Sequence, residues 1–228
     1  HLSLRRQRQM CIRDRGSNVR PLLEGMYGVK TVGLSPKDDY TIDIAKEIPV
    51  LRERYDIVLH VAGKAHSVPK TEAERQVFFD VNLQGTKNLC TALERRRVPR
   101  AFIFISTVAV YGCAYGENIT EDHPLDGDTP YAMSKRLAEE YLQKWCYEHN
   151  VILGIIRPSL IAGPNPPGNL GAMIHGIRSG KYLSIAGGQA RKSVLMVQDI
   201  AKLVSLLAEK GGIYNVCDLS LIHISEPT

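Results

Sequence analysis

Long apolar runs are missing from this 228-residue chain. No stretch approaches the roughly 18 consecutive apolar residues that a membrane-spanning helix requires, and no basic start leads into an apolar segment of signal-peptide length. Cysteine is sparse and scattered: Cys11, Cys90, Cys113, Cys146 and Cys217 form no Cys-x-x-Cys pair and have no histidine at metal-ligand spacing. That pattern gives no reason to expect a metal site and suits reduced thiols in a cytoplasmic protein. Internal repeats and low-complexity linkers are also absent, which removes solenoids and flexible arrays. What remains is 44% hydrophobic and 23% charged, the balance of an ordinary soluble globular protein. The length suits one large domain with a substantial core rather than two.

A strong positive field is lacking too, once its location is considered. The formal charge is +5, of which residues 1–15, "HLSLRRQRQMCIRDR", carry +4. Setting these aside, with Glu226 as the only charge of the last ten residues, leaves residues 16–218 at +2. A basic face for nucleic acid is therefore not expected. Both ends, "RQRQMCIRDR" and "SLIHISEPT", resemble peptides made when sequencing-adapter DNA is translated with a gene. The expectation is that residues 1–15 and 219–228 are non-native tails that pack little against the domain.

Between the ends, strands and helices alternate. "GSNVRPLLEGMYG" reads as a helix stopped at glycine, and "VKTVGLS" as a short strand with β-branched enrichment. "IAKEIPVLRERY" is expected to be a short helix, and "DIVLHVAG" a buried strand. Val77, Val81, Leu89 and Leu93 recur at helical spacing through "TEAERQVFFDVNLQGTKNLCTALERRR", one long amphipathic helix. "AFIFIST" is the next buried strand. A polar loop, a helix beginning at "TPYAMSK" and the strand "VILGIIRP" follow. This alternation predicts an α/β fold, a doubly wound parallel sheet of Rossmann type. Ligands of such sheets bind at the carboxyl ends of the strands. Here those ends read "GLSP", "HVAGKAH", "ISTVAVYG" and "RPSLIAGPNPPG", rich in small and hydroxyl residues.

In "TPYAMSK", Tyr131 and Lys135 stand four residues apart, so a helix places them on one face. "DIVLHVAGKAH", "NLQGTKNL", "ISTVAVYG" and "TPYAMSK" together resemble, in order and spacing, the extended short-chain dehydrogenase/reductase family, which includes nucleotide-sugar epimerases, dehydratases and ketoreductases. The resemblance runs from Gly16 to about Asp218, and it implies that the family's first strand and glycine turn are missing, with only Gly16 surviving as the turn's last glycine. It implies a dinucleotide-binding domain over residues 16–158 and a partial substrate-binding region with the remaining core elements over 159–218. Oxidising a sugar alcohol with a nicotinamide needs a base for the hydroxyl proton. A tyrosine titrates near 10, and a close ammonium favours its phenolate. By resemblance Tyr131 is the acid and base, Lys135 assists it and holds the nicotinamide ribose, and Thr107 supplies the hydroxyl that reaches the same substrate oxygen. Asn82 props the active-site helix.

The same resemblance puts NAD or NADP against Val61, Ala62, Gly63 and Lys64, with Asp43 and Ile44 flanking adenine, Gly16 at the pyrophosphate and Pro158 closing the cofactor site. His60 is read as a packing residue. "GLSPK" lacks the acidic residue that selects NAD, and Lys37 leans toward NADP. For the nucleotide-sugar substrate it nominates Asn169 and Leu170 in "GNLGAMI" and Arg191 in "GGQARKSVLMVQD", with Lys192 a near alternative. Leu160 departs from sugar-nucleotide epimerases, where a polar amide is common, and leaves the hexose open. Family dehydratases carry an Asp-Glu pair after the strand-end threonine. Val108 and Ala109 stand there, so dehydration is not expected. A nucleotide-sugar epimerase is the first expectation and a 4-ketoreductase the second. A non-catalytic dinucleotide sensor or scaffold is the reading from another class, and the chain itself is a candidate inactive fragment. A homodimer is a candidate assembly.

Overall fold

Ile57–His60 and Ala101–Ile105 are mostly apolar runs buried along their whole length, and they form adjacent parallel strands at the centre of the sheet. The computed structural model describes residues 2–6, 13–65, 67–113, 115–164, 168–181, 191–218 and 221–223. From edge to edge the main sheet runs β3 (Tyr40–Thr41), β2 (Val29–Gly33), β1 (Leu2–Arg6), β4 (Ile57–His60), β5 (Ala101–Ile105), β6 (Ile152–Pro158) and β9 (Gly212–Val216). All of its pairings are parallel. A smaller sheet places β8 (Arg191–Met196) between β7 (Leu160–Ala162) and β10 (Leu221–His223).

Side chains alternate across the main sheet, as strand geometry requires. Ile57, Leu59, Ile103 and Ile156 face Val19 and Leu23 of α1 (Arg13–Glu24) and Ile200, Val204 and Leu207 of α6 (Val197–Lys210). Val58, Phe102, Phe104 and Ile155 face the other way, toward Leu89 and Leu93 of α3 (Gly85–Arg96) and Leu142 and Trp145 of α4 (Pro130–Glu148). Each such fully buried side chain contributes about 1.5–3 kcal/mol relative to exposure. The parallel, doubly covered α/β architecture expected from the sequence is the one found. Among the described residues no helix is long and apolar enough to cross a membrane.

Four expectations are corrected. The first strand is not missing: Leu2–Arg6 pairs with β2 on one side and β4 on the other. Likewise Leu221–His223, expected to lie free, pairs antiparallel with Arg191–Ser193. Ladder bonds join backbone groups, so an extended segment of almost any composition fills an open strand position. The helix expected over residues 44–55 is a single turn, in which Lys46 and Glu47 both donate to the Asp43 carbonyl. Pro49, without an N–H, then stops propagation. Finally, the long amphipathic helix is interrupted: α2 (Glu72–Phe79) runs through a π-helical turn, Asp80–Gln84, into α3.

Candidate active site

The strand order reverses between β1 and β4, the position where doubly wound sheets bind their ligands. Val61, Ala62 and Gly63 leave the carboxyl end of β4 there and are all buried. Lys135, in the second turn of α4, is 3% exposed. Its ammonium donates to the Ile105 carbonyl at 2.8 Å and the Ala62 carbonyl at 3.4 Å, and lies 4.4 Å from the centroid of the Phe104 ring. The lysine thus bridges the ends of β4 and β5. A β-carbon on Gly63 would sit 2.9 Å from that ammonium and 3.0 Å from the Asn82 amide oxygen, so only glycine fits where Lys135 and Asn82 converge on this backbone.

The π-helical turn positions Asn82, which is fully buried. Its Oδ1 accepts from the Lys64 N–H at 2.7 Å, and its Nδ2 donates to the Lys64 carbonyl at 3.2 Å and to Ser134 Oγ at 2.8 Å. Insertions of this kind are frequent at functional sites because the extra residue re-aims a side chain. Ser134 in turn donates to the Tyr131 carbonyl at 2.9 Å. Tyr131 sits in the first turn of α4, whose start is fixed by Thr129 accepting from the Ala132 N–H at 3.1 Å and by Pro130 at the first helical position, both strong start signals. Its ring is 6.5 Å from Phe78, and Phe78 also lies 5.3 Å from the Lys64 ammonium. Thr107, 8% exposed, lies two residues beyond β5 and caps a 3-10 turn, Val108–Tyr111, by accepting from the Ala109 N–H at 3.1 Å. That turn abuts the approach to α4: a β-carbon on Gly127 would lie 2.5 Å from the Ala109 carbonyl and 2.7 Å from Ala132 Cβ.

The remaining expected residues spread along the strand ends. Gly16 lies in α1; the turn before it, residues 7–12, is outside the described residues. Asp43 accepts from the Ala45 N–H at 3.0 Å. Ile44 is fully buried against Gly85, and its carbonyl accepts from Asn88 at 2.6 Å, so its side chain serves the core. His60 is fully buried beside Phe102 and Phe104, with Nε2 2.9 Å from Thr86 Oγ1, in keeping with a packing role. Pro158 closes β6. Leu170 is 9% exposed in α5 (Gly168–Arg178), where Asn169 precedes it. Arg191 and Lys192 open β8. Leu160, at the start of β7, is 36% exposed. The four-residue set Asn82, Thr107, Tyr131 and Lys135 gathers at the ends of β4 and β5, whereas Asn169, Leu170 and Arg191 belong to α5 and β8.

Sequence reasoning passed over a buried polar network next to that set. Arg157, 2% exposed, donates from Nη2 to Glu139 Oε2 at 2.6 Å and from Nε to both Glu139 oxygens at 3.2 Å. Its Nη1 donates to Tyr111 Oη at 2.8 Å and to the Glu121 carbonyl at 3.1 Å. Burial alone would lower the guanidinium pKa, but the bonds to Glu139 and Tyr111 raise it above its ordinary value. The signals were an arginine at the end of an apolar strand and a glutamate four residues after Lys135 on the same helix face.

A parallel sheet in this order, with a buried lysine one helical turn from a tyrosine at its carboxyl ends, is a doubly wound α/β domain of Rossmann type. The chain belongs to the NAD dependent epimerase/dehydratase family, whose profile matches residues 37–217. It is 35% identical over 156 residues to an N-acetyl-alpha-D-glucosaminyl-diphospho-ditrans,octacis-undecaprenol 4-epimerase of Escherichia coli O157:H7, covering 66% of this chain and 46% of that protein. It is 31% identical over 183 residues to human (Homo sapiens) dTDP-D-glucose 4,6-dehydratase, covering 76% and 52% respectively. The chain spans about half the length of the curated relatives it matches. Among solved structures, the UDP-glucose 4-epimerase of Thermus thermophilus in complex with NAD superposes with a TM-score of 0.79 at 23% identity, over 97% of this chain and 79% of that one. RMD from Pseudomonas aeruginosa complexed with NADPH gives 0.77 at 24%, over 98% and 80%. These two likenesses show the fold.

Proposed function

We propose that this chain carries the catalytic half of an NAD(P)-dependent nucleotide-sugar epimerase, with Tyr131 as the general acid and base. The observation that carries this reading is the Lys135 ammonium, buried between the Ala62 and Ile105 carbonyls one helical turn from Tyr131. Tyr131, on the same helix face, is the side chain that would take and return the proton of a sugar hydroxyl. Thr107 orients the same hydroxyl, and Asn82 ties the segment after β4 to the first turns of α4. The absence of a side chain at Gly63 lets Lys135 and Asn82 close together on the backbone that follows β4. Val61, Ala62, Gly63, Lys64 and Lys135 would hold the nicotinamide end of NAD or NADP, Pro158 would close it, and Gly16, Asp43 and Ile44 would serve the pyrophosphate and adenine ends. When bound, the dinucleotide accepts hydride from the sugar carbon and returns it. Asn169, Leu170 and Arg191 are the substrate residues of this reading.

On the same reading residues 16–158 form the dinucleotide-binding domain and 159–218 part of the substrate region. The adapter-like composition of residues 1–15 and 219–228 supports treating them as additions. A homodimer in the cytoplasm completes the proposal. The second reading, a 4-ketoreductase, is favoured by 29% identity over 192 residues to the GDP-6-deoxy-D-mannose reductase of Pseudomonas aeruginosa, covering 77% of this chain and 60% of that protein.

The test is incubation of the chain with UDP-, dTDP- and GDP-sugars and a polyprenyl-diphosphate-linked N-acetylhexosamine, with each dinucleotide, followed by product analysis. An epimer at constant redox state supports the first reading, and a reduced sugar with consumed NADPH or NADH the second. Conversion that survives loss of the Tyr131 hydroxyl would overturn both.

A further inference from the structure

A buried ion pair is weak evidence for stability, because desolvation offsets most of its attraction. What the Arg157–Glu139 pair supplies is geometry. The guanidinium grips Glu139 through two nitrogens, a planar fork that fixes orientation as well as distance. Glu139 is one helical turn beyond Lys135 and two beyond Tyr131, so the grip holds the helix that carries both. The third nitrogen holds Tyr111, the last residue of the turn that Thr107 begins. Tyr111 passes the contact on by donating to Asn215 Oδ1 at 2.7 Å. Asn215, directly opposite Arg157 in the β6–β9 register, accepts that bond while its own N–H donates to Glu121 Oε1 at 2.6 Å and its Nδ2 donates to the Ile119 carbonyl at 2.9 Å.

We infer that Arg157 is a positioning residue, which sets the Thr107 turn and the Tyr131–Lys135 helix at a fixed separation and hangs Ile119 and Glu121, which lie between them in sequence, from the same point. The inference rests on the catalytic reading of Thr107, Tyr131 and Lys135. Lysine cannot replace the fork: one ammonium has no planar pair of donors for Glu139 with a third arm for Tyr111.

The experiment compares the full chain with Arg157→Lys and with the milder Tyr111→Phe, which removes only the hydroxyl that joins Arg157 to Asn215. Turnover, substrate KM, dinucleotide affinity and site-resolved amide exchange are measured on each. Arg157→Lys is expected to lower kcat by about 10²-fold, the scale of an ångström-sized misplacement, with KM and dinucleotide affinity nearly unchanged. Tyr111→Phe should show a smaller fall of the same kind. Exchange should quicken at residues 108–112 and in the first two turns of α4 together, and stay as before in β4 and β5. Unchanged kcat in both folded variants would overturn the inference, as would exchange that quickens throughout the sheet, which marks a general structural tie. If the unmodified chain converts no sugar, the reaction reading fails on its own. The exchange pattern then still decides whether Arg157 couples the turn to the helix.

Discussion

Asn82 and Ser134, 52 residues apart in sequence, are joined by a 2.8 Å hydrogen bond inside the protein. Through it the π-helical turn that carries Asn82 is tied to α4 between Tyr131 and Lys135. The same amide closes a two-bond ring with the backbone of Lys64. Asn82→Ala would leave the Lys64 N–H and carbonyl without those partners. An unsatisfied buried polar group costs about 1–3 kcal/mol. We expect a loss of that size in urea unfolding, together with weaker dinucleotide binding because the segment after Gly63 loosens. Asn82→Asp keeps an acceptor for the Lys64 N–H and should recover part of the stability.

How much of this was legible in the sequence differs by element. α4 could be read with its start because Thr129 and Pro130 are local signals whose chemistry acts within a few residues. β4 and β5 were legible because both their faces are buried, leaving continuous apolar runs. The π-helical turn was not legible, since an inserted residue leaves helical periodicity nearly intact on either side. Arg157 and Glu139 meet only because α4 packs on β6, and no local pattern encodes that meeting. Residues 2–6 escaped for the opposite reason. Their likeness to translated adapter sequence suggested a tail that packs little, whereas the open position between β2 and β4 asks only for backbone groups.

That placement changes what trimming should do. Leu2–Arg6 bonds β2 and β4 at once, so removing residues 1–12 would strip ladder partners from two central strands. The unfolding midpoint should fall by well more than the roughly 0.5 kcal/mol of an ordinary surface edit. A trimmed chain of unchanged stability would show that the segment adds nothing to the sheet.

Gly63→Ala probes the convergence of Lys135 and Asn82 from the other side. The new β-carbon would approach both within about 3 Å, and neither can withdraw cheaply, because each is held by backbone partners. Dinucleotide affinity is expected to fall at least tenfold, while far-ultraviolet circular dichroism stays that of the unmodified chain. Affinity within a factor of two would mean that the convergence of Lys135 and Asn82 on Gly63 does not bear on dinucleotide binding.

The buried thiols give a stability profile at high pH. Burial pushes the Cys90 thiol well above its ordinary value, with Cys146 adding to the effect, and pushes Cys146 up to about 12. In the unfolded chain a thiol titrates near 8.5. Between that value and about 12 the folded protein keeps protons that the unfolded chain has lost, so stability falls as pH rises. Below about 8.5 both states hold the proton and this contribution is flat. Urea midpoints measured from pH 7 to 10.5 should decline above about 8.5, and Cys146→Ala should make the decline shallower. A slope unaltered by that substitution would assign the decline to other groups.

The proton-transfer role itself is tested at Tyr131. Tyr131→Phe keeps the ring beside Phe78 and removes only the hydroxyl. Loss of general acid–base catalysis costs about 10²–10⁴-fold in rate, and a fall of that size is expected with dinucleotide affinity nearly unchanged. Lys135→Met should behave differently. It abandons the Ala62 and Ile105 carbonyls and removes the cation, so turnover and dinucleotide affinity should drop together. Two variants one helical turn apart thus separate chemistry from binding. If Tyr131→Phe kept more than about a tenth of the original turnover, outside the range for a lost acid–base group, proton transfer would have to be assigned elsewhere. A Lys135→Met chain that bound dinucleotide normally would confine the lysine to the chemical step.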